Sequence, residues 1–266
     1  MELEKSFPFI SCKTISYGRV NVLEEAINSF LLQDYPLDKK ELIVVNDYPL
    51  QTLKMDFNMM KTYNIKIFNL EETFSTIGEK ENFAIEQCKG EIIAVWDDDD
   101  IALPNHLSNI TKYFVEGSNL LHWQKGVFYN GNAITKLMAL GNSGIVYSKE
   151  AWLAIAKSPI ENAGGDMTLV VTIHNLGRDK VVLADPPDEE CSWFYRWGMP
   201  EENVYHQSGA GTDTPNRPNI IQRHTIHIEE LRQRGLIPTG EILLQPKWKH
   251  NYIKMLSNFI TKNNEN

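Results

Sequence analysis

Residues 91–107 read EIIAVWDDDDIALPNHL, so four consecutive aspartates, Asp97, Asp98, Asp99 and Asp100, follow directly on the apolar run 92–96. Adjacent carboxylates repel one another, and gathering them at one point calls for a cation. Hard oxygen ligands suit Mg²⁺ or Mn²⁺. An ion held there can neutralise a diphosphate, which is a common leaving group. The competing explanation is a solvated acidic turn before a helix, where negative charge is favoured. The apolar run, the number of acids and the LPNHL that follows weigh against a turn alone.

Such a loop is positioned by the elements around it. Residues 9–16, 41–46, 65–70 and 92–96 are short apolar runs that read as buried strands. Between them, Val22, Leu23, Ala26, Ile27, Phe30 and Leu31 recur at helical spacing, so 21–32 reads as a helix capped by Asn21. Residues 79–88 also read as helix, and Pro104 opens another, with Leu107, Ile110 and Phe114 on one face. Alternation of strand and helix to about residue 115 implies a doubly wound, mostly parallel sheet, an α/β fold. Ligands of such sheets bind beyond the carboxyl ends of the strands, where Asp97–Asp100 fall. The second half is less regular: strands over 120–129 and 143–147, helices over 149–156 and 166–175, a Gly/Pro/Asn/Thr-rich loop over 198–218. The tail, 225–266, reads as helices around the turn LIPTGE, fraying from Asn258. The expected organisation is a domain over 1–218, with a nucleotide-binding half (1–115) and an acceptor half (116–218), and a helical C-terminal extension over 219–266.

Composition narrows the function. The 266 residues are 42% hydrophobic and 23% charged, ordinary for a soluble globular protein. The net charge of −9 argues against broad nucleic-acid binding, though not against a local basic groove. No apolar stretch approaches the ~20 residues of a membrane span, and MELEKSFPF lacks the apolar core of a secretory signal. Cys12, Cys88 and Cys191 form no CxxC pair, which disfavours a disulfide framework or structural zinc. A cytoplasmic, reduced protein is expected.

The stretches ISYGRVNVLEEAINSFLLQDYP, ELIVVND and GEKENFAIEQCKGEIIAVWDDDDIALPNHL, in that order and spacing, resemble the nucleotide-sugar glycosyltransferases of the GT-A (Rossmann-like) fold, family two. The resemblance covers roughly residues 9–210 and is strongest to about residue 115. It implies that the stretch from Thr14 to Arg19 touches the nucleotide, with Tyr17 stacking on the base and Arg19 supporting the loop or a phosphate; Gly18 stands where the family usually has Asn. It implies that Asp47 accepts the uracil N–H and that Lys80 holds nucleotide or phosphate, with Glu81 in a position often taken by Arg. In the DXD-type motif, Asp99 is the best metal ligand, Asp97 a second ligand or a ribose contact, Asp98 a ribose contact and Asp100 a loop-ordering residue.

The family also has a general base at the start of a helix in its second half, matched by Asp166, although Gly165 replaces the usual acid before it. A plain helix N-cap is the alternative for Asp166. Residues 141–144 match a glycine-containing loop near the donor sugar, and His206 is matched to a third metal ligand ahead of a flexible Ser208–Gly211 loop. Arg196 is either a core-edge ion pair or a phosphate contact. The implied activity is a Mn²⁺- or Mg²⁺-dependent, inverting transfer of a sugar from a UDP-sugar to an acceptor hydroxyl. The acceptor is open among glycan, lipid-linked sugar, protein, small molecule and modified nucleobase. Competing readings are a nucleotidyltransferase of similar fold, disfavoured by the glycine-poor SYGRVN turn, and a non-catalytic metal- or nucleotide-binding module.

Overall fold

The computed structural model describes residues 7–140, 143–158, 165–196 and 220–264. Four strands, β1 (Ile10–Ser16), β2 (Lys40–Asn46), β4 (Ile65–Asn69) and β5 (Ile92–Val95), pair in parallel in the order β5-β1-β2-β4. The sheet continues past β5 through β10 (Val146–Ser148), β7 (Leu120–Trp123) and β11 (Val181–Ala184). Only β10 among its seven strands runs against the others.

Alternation along the strands explains both faces. Cys12, Leu42, Val44 and Ala94 point to one side and pack on α1 (Val20–Leu31) through Leu23, Ala26, Ile27 and Phe30, and on α4 (His106–Tyr113). Ile43, Val45, Ile93 and Val95 point to the other side, towards α3 (Ile77–Gln87), α5 (Lys149–Ala154) and α6 (Gly165–Asn175). With helices on both faces, the central strands need side chains that are apolar on both sides, which is why they read as continuous apolar runs.

A second sheet, β6-β12-β8-β9, is built from β6 (Ile101–Ala102), β12 (Trp193–Arg196), β8 (Gly126–Tyr129) and β9 (Ile134–Met138). It packs on α8 (Tyr252–Asn264). A third pairs β3 (Gln51–Lys54) in parallel with β13 (Gly240–Leu243). The helix α2 (Phe57–Tyr63), capped by the Asp56 side chain, and α7 (Ile220–Gln233) complete the described elements.

Several boundaries differ from expectation. Residues 120–129 form two strands in different sheets rather than one, because the chain turns at Gln124, whose N–H goes to the Ala184 carbonyl. The helix α1 starts at Val20 with Arg19 at its cap position, and no side chain caps it, so Asn21 does not take that role. The tail is not all helical: β13 inserts a strand, and α8 runs on through Asn258 because Ile260 packs on the second sheet's core.

Candidate functional site

The sheet's topological switch lies at β1, which has β2 and β4 on one side and β5 on the other. The carboxyl ends of β1, β2 and β5 release three segments side by side: Tyr17–Arg19, Asp47 and Asp97–Asp100. Thr14 fastens two of these ends together. It is buried, and its hydroxyl donates to the Trp96 carbonyl at 2.6 Å, while the Trp96 N–H donates to the Lys13 carbonyl at 3.0 Å. Thr14 therefore ties the ends of β1 and β5 together through its own hydrogen bond.

The acidic segment closes as a turn, with the Asp100 N–H on the Asp97 carbonyl at 3.4 Å. Asp97 is half-buried; Asp98, Asp99 and Asp100 are buried. Arg19 faces two of them: its Nε donates to Asp98 Oδ2 at 3.1 Å, its Nη2 pairs with Asp98 Oδ1, and its Nη1 reaches Asp99 Oδ2 at 2.9 Å. Both Asp98 oxygens are thus engaged by one guanidinium, and the residue is 1% exposed. Burial raises the Asp98 pKa, against the pull of Arg19. Burial works against the charge of Arg19, and Asp98 and Asp99 more than restore it.

Asp100 does what was expected, ordering the loop. It accepts from Ser143 Oγ at 2.7 Å, Trp193 Nε1 at 3.0 Å and the Arg196 N–H at 2.8 Å. Burial and the neighbouring Asp99 and Asp97 push its pKa well up, while the Arg196 N–H and Ser143 oppose.

On the other side of Tyr17, Asp47 pairs with Lys80, whose Nζ also donates to the Ser16 carbonyl at 2.7 Å. The Phe74 N–H donates to the second Asp47 oxygen at 3.1 Å. Lys80 is buried, and that burial lowers its pKa against the attraction of Asp47. Its Nζ lies 5.9 Å from the Tyr17 ring, which meets Tyr48 edge-on at 4.8 Å. Glu81, where an Arg is common in the family, pairs with Lys13 from β1, so a cation is still present. Gly18 has φ +72°, and a Cβ there would lie 2.7 Å from Ile228 Cγ2 of α7, which accounts for its replacing Asn.

Three carboxylates, Asp47, Asp98 and Asp99, face two cations, Lys80 and Arg19, leaving one negative charge before Asp97 and Asp100 are counted. Among the described residues, no three His, Cys, Asp or Glu side chains form a complete metal cage. Mg²⁺ and Mn²⁺ at nucleotides need none, since one or two carboxylates, phosphate oxygens and water suffice. Asp97 and Asp99, on one tight turn, fit as that pair by donor chemistry. His206, the Ser208–Gly211 loop and residues 141–142 lie outside the described residues. Asp166 lies in the first turn of α6, one residue inside its start at Gly165.

Sequence reasoning weighed Arg196 and missed Glu25 and Tyr252. Arg196 proves to be an ion pair, fully buried against Glu25 at 2.7 Å. The missed signal lies in α1: Glu25 and Ser29 occupy a buried stripe, and a carboxylate there demands a buried partner.

A doubly wound sheet whose switch point carries paired cations and an acidic loop agrees with a glycosyltransferase of the GT-A fold. The chain belongs to glycosyl transferase family 2, which it matches over residues 11–165. Poly(ribitol-phosphate) beta-N-acetylglucosaminyltransferase TarS of Staphylococcus aureus is 29% identical over 144 residues, covering 50% of this chain and 25% of TarS. The match therefore spans a quarter of that relative's length. The structure of S. aureus TarS 1-349 in complex with UDP-GlcNAc aligns with a TM-score of 0.56 at 17% identity, covering 73% of this chain and 60% of that one. The mannosyltransferase PcManGT from Pyrobaculum calidifontis, in complex with GDP-Man and Mn²⁺, aligns with a TM-score of 0.52 at 14% identity, covering 86% and 65%. These likenesses show the fold. No helix among the described residues is long and apolar enough to cross a membrane.

Proposed function

We propose that the protein transfers a sugar from a UDP-sugar to an acceptor hydroxyl with inversion at the anomeric carbon. The observation that carries this reading is the acidic turn at the end of β5, set beside Arg19 and the Asp47–Lys80 pair at the sheet's switch point. The uridine end of the donor lies against Tyr17, with Asp47 as acceptor for the base and Lys80 holding Asp47 in place. Arg19 holds the acidic turn and faces the diphosphate. A divalent ion, Mn²⁺ or Mg²⁺, would be held by Asp97 and Asp99, with His206 as a third ligand, and would supply positive charge for the departing diphosphate.

Asp166 accepts the acceptor hydroxyl's proton as that oxygen bonds to the anomeric carbon from the face opposite the diphosphate. The bond from that carbon to the diphosphate oxygen breaks, and UDP leaves with the electron pair. The N-terminal turn of α6 favours the ionised carboxylate this step needs. Three buried free cysteines agree with a reducing, cytoplasmic setting.

Titration calorimetry of UDP with and without Mn²⁺, together with UDP-GlcNAc hydrolysis, tests the reading. Mn²⁺-enhanced UDP binding and slow donor hydrolysis are expected. A wild-type protein that binds no uridine nucleotide would remove it.

A further inference from the structure

Behind the acidic turn, away from Arg19, lies a second set of buried charges. Arg196, at the end of β12, uses its main-chain N–H on the Asp100 carboxylate at 2.8 Å and its Nε on the Asp99 carbonyl oxygen. Its Nη1 pairs with Glu25 Oε2 at 2.7 Å and lies 3.3 Å from the Tyr252 hydroxyl. That hydroxyl donates to Glu25 Oε1 at 2.9 Å, and the Lys249 N–H reaches the same oxygen at 2.8 Å. Arg196, Glu25 and Tyr252 are all 0% exposed. Nearby, Trp248 Nε1 donates to Ser29 Oγ at 2.9 Å, and the Gln245 N–H donates to Glu24 Oε1 at 2.7 Å. The segment from Gln245 to Tyr252 thus docks along α1 and ends on the guanidinium that holds the acidic turn.

The chemistry of this arrangement is specific. A buried guanidinium beside Asp99 and Asp100 would, left to itself, pair with their carboxylates and spend the charge the site needs. Glu25 takes that charge instead. The Arg196 side chain then meets Asp99 through its main-chain carbonyl and leaves the carboxylate to Arg19.

We propose that Arg196, Glu25 and Tyr252 are positioning residues, and that the C-terminal segment is a buttress that fixes where the Asp97–Asp99 carboxylates stand. The role in transfer rests on the glycosyltransferase reading; the mechanical part does not.

Two variants of the full chain test it. Tyr252→Phe keeps the ring's edge contacts with Phe194 (5.4 Å) and Trp248 (5.6 Å) and deletes only the hydroxyl. Arg196→Lys keeps a cation for Glu25 and loses the fork that also reaches Asp99. Asn258→Ala, on the exposed side of α8, is the control. Amide hydrogen exchange without nucleotide should show protection over residues 98–101 falling ~10-fold in both variants, with the central strands unchanged. Metal-free UDP affinity should hold within about twofold, while the Mn²⁺-dependent gain in UDP affinity drops ~10-fold, the usual size for residues that orient metal ligands. The kcat for UDP-GlcNAc hydrolysis should fall further than KM rises.

Unchanged exchange over 98–101 in Tyr252→Phe, or a lowered melting temperature with the Mn²⁺ gain intact, overturns the proposal. If Arg196→Lys does not fold, Tyr252→Phe decides alone. A wild-type protein that ignores UDP removes the transferase reading, and the exchange experiment still judges the buttress.

Discussion

His106 offers a quantitative test of how the site is supported. Its ring is fully buried between Trp193, Trp123 and Trp96, at centroid distances of 4.9, 5.2 and 5.8 Å, and its Nδ1 lies 2.9 Å from Ser192 Oγ. Nε2 has no hydrogen-bond partner among the described residues. Burial holds the imidazole's pKa down, from 6.5 to about 3. In the unfolded chain the ring takes up a proton near 6.5, so between these two values the unfolded state binds more protons than the folded one. Stability from this group is therefore complete above the unfolded value and is lost as pH falls. At pH 5 the loss is about 2 kcal/mol, and any folded value below about 4 gives the same result.

The site feels this loss because Trp193 also donates to Asp100. The assay is urea unfolding at pH 7 and pH 5 for the wild type and His106→Asn. The variant keeps a polar group towards Ser192 and starts roughly 1–3 kcal/mol less stable at pH 7 through lost packing. Carboxylate titrations are common to both proteins and cancel in the comparison. The wild type should lose about 2 kcal/mol more than the variant between the two pH values. Equal losses would refute the reasoning.

Other substitutions probe the chemistry. Asp166→Asn should fold, keep UDP affinity and lose ~10²–10⁴-fold in transfer to a saturating acceptor, as general-base removal does; near-wild-type transfer would return Asp166 to a helix-start role. Asp99→Ala should abolish Mn²⁺-dependent UDP binding, read by calorimetry, with the circular dichroism spectrum preserved. UDP should bind more tightly than CDP, and Asp47→Ala should erase the difference; equal wild-type affinities would remove the uracil assignment. Gly18→Ala should cost at least about 1–2 kcal/mol in chemical denaturation, from left-handed backbone strain alone before the contact with Ile228 is added.

What could be read in advance follows from locality. The strands β1, β2 and β5 were legible because burial on both faces writes itself as a continuous apolar run. The acidic turn was legible because its chemistry is contiguous in the chain. The site residues Tyr17, Arg19, Asp47 and Lys80 do meet at one place, but their pairings were hidden. Asp98 could not be separated from Asp99 until Arg19 was seen to take both Asp98 oxygens. The strands β3 and β13 were missed because neither QTLK nor GEIL is an apolar run and each pairs with a partner far away in the chain. Glu25 was passed over because an isolated acid in an amphipathic helix reads as surface until its partner is known.

The distances along the chain between Glu25 and its partners set a timetable. Arg196 lies 171 residues after it, and Tyr252 lies 227 residues after it. During synthesis at about 5–20 residues per second, the α1 carboxylate waits roughly 10–45 s for the last of them. Through that interval the parallel strands β1, β2 and β5 can pair, but the acidic turn lacks its rear support. On the proposed role of the C-terminal segment, a ribosome stalled short of Tyr252 would display paired central strands with an acidic turn that still lacks its last hydrogen bonds.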